Sequence, residues 1–178
     1  MTRDLTDEVL ALLAPHVPRR PFWALDWAVI ETEVGHRLPT DYKRLCDHLP
    51  PGRFRDFLWL RHPLGSHGGG LLGEEAELID TVRELAGVSE WENIPGDLDA
   101  ATIPGLLYPC LLTDNGDTGY WLAAGDDPDA WTIVLHVGKE LFSGQGTGLS
   151  ELLHDFLTDE EFFGSVLSGD EPLFTSDL

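Results

Sequence analysis

The chain begins with three segments in which apolar residues recur at helical spacing. The first segment ends at Pro15, the second ends at Gly35, and the third opens at Pro39; proline and glycine are common at such helix boundaries. The three apolar stripes are Leu5, Val9, Leu12 and Leu13, then Trp23, Trp27, Ile30 and Val34, and finally Tyr42, Leu45, Cys46 and Leu49. We therefore expect three helices, with the second and third forming a hairpin.

The middle of the chain changes to short apolar runs that are typical of strands. Asn115-Gly116 lies between two such runs and is a strong hairpin signal, because both residues tolerate a positive φ. We expect one strand at 53–60, a helix at 74–86, an irregular loop at 89–102, and a meander of strands at 106–112, 118–124 and 131–137 with a short strand near 139–142.

Helical spacing returns at 149–157 and again at 162–167, and the acidic tail at 168–178 is expected to be frayed. A length of 178 residues suits one domain that can bury a hydrophobic core. The order of helices, strands and helices predicts a single α+β domain over residues 1–178, with a mostly antiparallel sheet flanked by N- and C-terminal helices.

The charge is strongly unbalanced. The net charge is -21, and Lys139 is the single Lys or Arg after Arg83. A field of this size repels nucleic acid and anionic membranes and attracts basic proteins, so we expect a protein partner and neither a nucleic acid nor a membrane. An acidic surface that serves only solubility is the alternative interpretation.

The sequence also indicates in which compartment the protein is located. No run approaches the roughly 18 apolar residues of a membrane span, and the first ten residues lack an export signal. Cys46 and Cys110 lie far apart in apolar settings, which suits reduced core thiols better than a disulfide. We therefore expect a cytoplasmic protein with two buried thiols.

Motifs for catalysis and metal binding are missing from the sequence: it has no nucleophile elbow, Walker loop, dinucleotide fingerprint or zinc motif. The turn beginning at Asp114 resembles a calcium loop, but Gly125 occupies the position of the bidentate glutamate. We expect a protein that is not an enzyme and holds no cofactor or metal. A small hydrolase remains an alternative, which a deep pocket with strongly perturbed pKa values would indicate.

Several ordered motifs carry a family resemblance. The first half contributes Trp27, Glu31, Gly35, Leu38-Pro39, Asp41-Tyr42-Lys43, Pro51-Gly52, Phe54 and Pro63. The second half contributes Pro104-Gly105-Leu106-Leu107, Thr113-Asp114-Asn115-Gly116-Asp117, Tyr120-Trp121, the run from Pro128 to Val134, and Gly148-Leu149-Ser150-Glu151-Leu152-Leu153. Together they resemble the SUKH superfamily, the Smi/Knr-like group, over about residues 20–160. Residues 1–20 and the acidic tail lie outside the match, and Cys110 departs from the small residue that is common there.

The resemblance implies an α+β domain with a largely antiparallel sheet, and a role. Bacterial members are commonly immunity proteins that bind and neutralise toxin domains, often nucleases, whereas other members are scaffold or regulatory proteins. Both roles stay open, and we assume a monomer. The expected contact residues are Asp114, Asp117, Trp121, Asp126, Asp127 and Asp129, with the acids steering a basic toxin domain and Trp121 as an aromatic anchor. Tryptophan on a strand also favours the core, and the two acidic connections leave opposite ends of a meander.

Overall fold

The computed structural model describes residues 2–17, 24–65, 70–71, 90–94, 98, 102–137, 141–159 and 171–177. The helices predicted at 74–86 and 162–167 lie outside the described residues. The described helices are α1 (Thr6–Leu13), α2 (Trp27–Val34), α3 (Thr40–His48) and α4 (Leu149–Thr158), with 3-10 turns at Ile103–Leu106 and Pro128–Ala130. The strands are β1 (Gly52–Phe54), β2 (Leu58–Leu60), β3 (Glu90–Glu92), β4 (Leu107–Thr113), β5 (Thr118–Leu122), β6 (Thr132–Val137), β7 (Leu141–Gly144) and β8 (Phe174–Ser176).

The strands form one sheet in the order β3-β7-β6-β5-β4-β2-β1-β8. All of its pairs are antiparallel except β3 with β7. The predicted meander is confirmed as β4 to β7, and helices lie before and after it in the chain. The expectation of an α+β fold with a mostly antiparallel sheet is therefore confirmed.

The second and third helices form the expected hairpin. Gly35 ends α2 with a φ of 81°, and the side chain of Asp26 caps its start by accepting a hydrogen bond from the backbone N of Val29. The indole of Trp27 donates to Asp47 at 3.0 Å. Further along, Lys43 pairs with Glu31 at 2.7 Å. Glu31 follows Trp27 in α2, whereas its partner Lys43 precedes Asp47 in α3. The two helices therefore run antiparallel.

The single strand expected at 53–60 is wrong, because the chain turns back at its middle. Arg55 and Asp56 have φ values of 49° and 52°, and the backbone N of Phe57 donates to the carbonyl of Phe54 at 3.0 Å. Because Phe54 pairs with Leu58, the connection between β1 and β2 has three residues, and the two consecutive left-handed residues Arg55 and Asp56 reverse the chain within it. Neither residue is the glycine or asparagine that usually marks such a turn. The sequence pattern of residues 53–60 therefore resembles one continuous strand.

Two further expectations need correction. The region 89–102, expected to be an irregular loop, contains β3, which pairs with β7. The tail at 168–178, expected to be frayed, contains β8, which pairs with β1. Phe174 supplies the physical reason, because it is buried and its ring packs edge-to-face on Phe54 with centroids 5.3 Å apart.

Both faces of the sheet are covered. The helix face carries the larger core, in which Val9, Leu45 and Phe156 of the helices pack with Trp121 and Ile133 of the sheet. The opposite face carries a smaller core of Ile103, Leu107, Tyr120, Leu122 and Val134, against which Trp91, Ile94, Leu98 and Leu106 pack. Both cysteines are unpaired and fully buried, as expected. Among the described residues, no helix has the length and apolar character that a membrane crossing requires.

Candidate partner-binding site

The meander separates the expected acidic residues into two groups. Asp114 and Asp117 lie in the turn between β4 and β5, whereas Asp126, Asp127 and Asp129 lie in the connection between β5 and β6. Because β4, β5 and β6 are antiparallel neighbours, these connections leave opposite ends of the sheet. We call the end with Asp114 the turn end and the end with Asp126 the loop end. The expected contact residues therefore do not form one cluster.

The turn end is built from two adjacent tight turns. In the first, Thr113 accepts a hydrogen bond from the backbone N of Asp117 on its Oγ1 at 2.9 Å, and Gly116 has a φ of 85°. The backbone N of Asp114 donates to the carbonyl of Phe57 at 2.9 Å, which fixes the β1–β2 turn alongside. The exposed carboxylate of Asp56 therefore lies at the same end as Asp114. Sequence reasoning missed Asp56 because it placed the residue inside a strand.

Arg55, a cation at this end of the sheet, lies below the surface. Arg55 is only 5% exposed, and its Nη1 donates to the carbonyl of Phe156 at 3.4 Å. That carbonyl belongs to the last turns of α4, where a positive charge complements the helix dipole. The Arg55 charge is thus directed to the helix, while the neighbouring Asp56 and Asp114 face solvent.

At the loop end, two of the three acids serve as caps. Asp129 accepts from the backbone N of Thr40 at 2.6 Å and from its Oγ1 at 3.0 Å, so it closes the N-terminus of α3. Asp127 accepts from the backbone N of Asp129 at 3.2 Å and closes a 3-10 turn. Asp126 and Asp127 remain exposed. Of this group, Asp126 and Asp127 are the better placed to meet a partner.

The expectation that Trp121 anchors a partner is wrong for this structure. Trp121 is 1% exposed and lies on the helix face of the sheet. Its ring packs edge-to-face on Tyr42 with centroids 4.9 Å apart. Because side chains alternate along a strand, Trp121 and Tyr120 point to opposite faces of the sheet. Both faces are covered, so neither side chain is available to a partner.

Most basic side chains of the described chain are buried or lie beside a carboxylate. Arg55 and Arg61 are buried. Arg37 is exposed. Burial tends to raise the pKa of Glu31, but the backbone hydrogen bond from Leu38, Lys43 and, least, Arg37 together lower it. The ion pairs are Arg3 with Glu151 at 3.8 Å, Lys43 with Glu31 at 2.7 Å, Arg44 with Asp4 at 3.0 Å and with Asp7, and Arg53 with Asp177 at 3.7 Å. The field that reaches solvent is therefore acidic.

A cavity of about 280 Å³ lies where three helices begin, lined by Thr2, Arg3, Asp4, Thr40, Asp41 and Asp129. Each of its carboxylates accepts a backbone hydrogen bond: Asp4 from Thr6, Asp129 from Thr40, and Asp41 from Ser150 at 2.9 Å. Burial raises the pKa of Asp41, although the Ser150 bond opposes the change. These acids hold the starts of α1, α3 and α4 together, which is a structural task.

Comparison of the chain with models of protein families, with curated proteins and with solved structures gave no match in any of the three.

Proposed function

We propose that this chain is a cytoplasmic immunity protein of the SUKH type, which binds a basic toxin domain and blocks its active surface without catalysis. The observation that carries the proposal is the separation of charge. Most cations of the described chain are buried or beside carboxylates, whereas Asp56, Asp114 and Asp126 are exposed on tight connections at the sheet ends. Such a surface suits a partner that carries a basic groove.

The physical role of the acids is steering. A net charge of -21 raises the local concentration of a positively charged partner and can accelerate association by about 10- to 1000-fold at low salt. A nuclease domain carries a basic groove because it binds phosphates. An acidic protein that occupies this groove competes directly with nucleic acid.

The fold supports the proposal at a coarser level. The sequence motifs resemble the SUKH superfamily, and that resemblance implies an α+β domain with a largely antiparallel sheet. The chain has such a domain. Fold alone does not specify function, so the charge distribution rather than the architecture is the basis of the proposal.

We expect a toxin domain to be encoded beside the gene of this chain, and the test uses that domain. Co-expression should rescue growth from that toxin, and the association rate of the purified pair should fall steeply between 50 mM and 500 mM salt, conditions we choose to span strong and weak screening. Failure of both rescue and binding would contradict the proposal and favour a regulatory or scaffold role.

A matched pair of variants tests the acids themselves. The triple change Asp56→Asn, Asp114→Asn and Asp126→Asn should slow association at low salt several-fold and leave the dissociation rate nearly unchanged. Glu8→Gln, Glu33→Gln and Glu92→Gln remove the same charge from exposed positions elsewhere. If both triple variants slow association equally, only net charge matters and the sheet ends are not the contact surface.

A further inference from the structure

The segment that follows β2 leaves the sheet beside the middle of β4, where Leu60 pairs with Leu111, and is fixed by buried polar side chains. Arg61 is 3% exposed and its Nη1 donates to the carbonyl of Gly70 at 3.1 Å. The carbonyl of His62 accepts from the backbone N of Gly65 at 2.8 Å and from that of Leu71 at 3.1 Å. The outgoing and returning arms of this connection are therefore tied together at their base.

His62 also ties this base to α3. It is 2% exposed, and its Nδ1 accepts from the backbone N of Leu64 at 3.0 Å. Nδ1 must then lack a hydrogen, so Nε2 carries the proton and donates to the carbonyl of Cys46 at 3.2 Å. Burial lowers the pKa of His62 to about 4, which keeps the ring neutral at neutral pH.

The hydrogen-bond partners of Arg61 and His62 show which part of the chain these side chains stabilise. Burying a guanidinium or an imidazole is costly unless its hydrogen bonds are made. Arg61 bonds Gly70, and His62 bonds Leu64 and Cys46, so these contacts fix the conformation of a surface connection. Binding residues are commonly held on connections that a rigid scaffold positions.

This fixed base presents an apolar side chain to water. Leu64 is 48% exposed, whereas Leu71 on the returning arm is 4% exposed and packs into the core. Among the described residues, Val29 on α2 is the other large apolar residue with comparable exposure, at 52%. Val29 lies in the first turn of a regular helix, away from this connection, and therefore serves as a natural control for Leu64.

The segment that carries Leu64 and the acidic β5–β6 connection both contact α3. The His62 contact meets α3 at Cys46, and the β5–β6 connection meets the same helix at Thr40 through Asp129. Six residues of helix separate these points, which is about 9 Å. Exposed Asp126 and Asp127 belong to that connection. Helix α3 thus links the segment that carries the exposed Leu64 to a connection that carries exposed carboxylates.

We propose that Leu64 is the apolar anchor of the partner interface, and that it enters an apolar pocket rimmed by basic residues on the toxin domain. The inference rests on the proposed function and names the surface that it uses. Interfaces commonly place an apolar contact at the centre and charged residues at the rim. A pre-fixed anchor loses little conformational freedom on binding, so its contact contributes mainly to a slow dissociation rate.

The experiment measures binding kinetics between the full chain and the toxin domain encoded beside its gene. Leu64→Ala should raise the dissociation rate about tenfold and leave the association rate and the melting temperature unchanged. Val29→Ala should change none of the three. Unchanged dissociation of Leu64→Ala from a toxin that the wild type binds would overturn the anchor and leave the proposed function intact. Absence of wild-type binding would overturn both.

A labelling measurement supplies an independent readout. Cys46 and Cys110 are fully buried and burial raises the pKa of both thiols, so neither should react readily with iodoacetamide. The thiol introduced by Leu64→Cys should react in the free protein and be protected by the toxin domain. The thiol introduced by Val29→Cys should react in both states. Equal reaction of the Leu64→Cys thiol with and without toxin would contradict the proposal.

Discussion

Asp129 closes the N-terminus of α3 from 89 residues away in the sequence, with its two carboxylate oxygens bonded to the backbone N and the Oγ1 of Thr40. The cap of this helix is therefore supplied by tertiary structure, since the local N-cap residue, Pro39, makes no side-chain hydrogen bond. One carboxylate thereby couples the β5–β6 connection to the helix hairpin.

We expect Asp129→Ala to lower the free energy of unfolding by about 1 kcal/mol, because an orphan N–H at the start of α3 loses its acceptor. Urea unfolding at pH 7 measures the change. Asp126→Ala, a matched removal of an exposed acid from the same connection, should alter stability by less than about 0.5 kcal/mol. Equal effects from the two variants would mean that the capping bond contributes nothing measurable.

Gly52 is required by close approach of β8. A Cβ at this position would collide with the backbone carbonyl oxygen of Thr175 and would lie 2.6 Å from the ring of Phe174. Gly52→Ala should therefore displace β8 from β1 and lower the free energy of unfolding by about 1–3 kcal/mol. Gly105→Ala is the control, because nothing lies within 4 Å of a Cβ there. Hydrogen exchange at Thr175 would report the displacement, and unchanged protection in Gly52→Ala would contradict it.

His62 makes stability depend on pH in a defined window. Its pKa falls from 6.5 in the unfolded chain to about 4 in the fold, chiefly through burial. A depressed histidine pKa means that the unfolded state binds the proton more tightly. The contribution of neutral His62 to the free energy of unfolding is fully present above pH 6.5 and is lost as the pH falls through about 4. At about 1.4 kcal/mol per pKa unit, the loss amounts to roughly 3 to 4 kcal/mol.

The check is the unfolding free energy at several pH values between 4 and 7 for the wild type and His62→Gln. The variant cannot titrate at this position, so its stability should fall less over the window, although it starts lower because a bond to Leu64 or Cys46 is weakened. Parallel curves for the two proteins would show that another group governs the acid response.

Local signals predicted the regular part of this fold well. The bounds of α1, α3 and the meander follow from periodicity and from proline and glycine punctuation, which act within a few residues. The α2 terminus was predictable for the same reason, because only Gly35 adopts its left-handed cap without strain. The residues that determine these elements lie within the elements or directly beside them in the sequence.

The remaining features depend on partners distant in sequence. β3 and β8 have three residues each and exist through pairing with β7 and β1. The turn at Arg55 and Asp56 contains neither glycine nor asparagine, so the sequence pattern does not reveal the turn or the exposed position of Asp56. Trp121 shows the same limit. The alternation of side chains along a strand predicts which face of the sheet Trp121 lies on, but it does not predict whether helices cover that face.

The pairing of β3 with β7 has a kinetic consequence. β4 to β7 join neighbours in sequence and can assemble through short-range contacts, which form quickly. β3 precedes all of them in the chain and runs parallel to the last, so its site exists only after the other four strands are in place. The edge formed by β3 should be added late in folding and, under native conditions, should be among the first parts of the sheet to open.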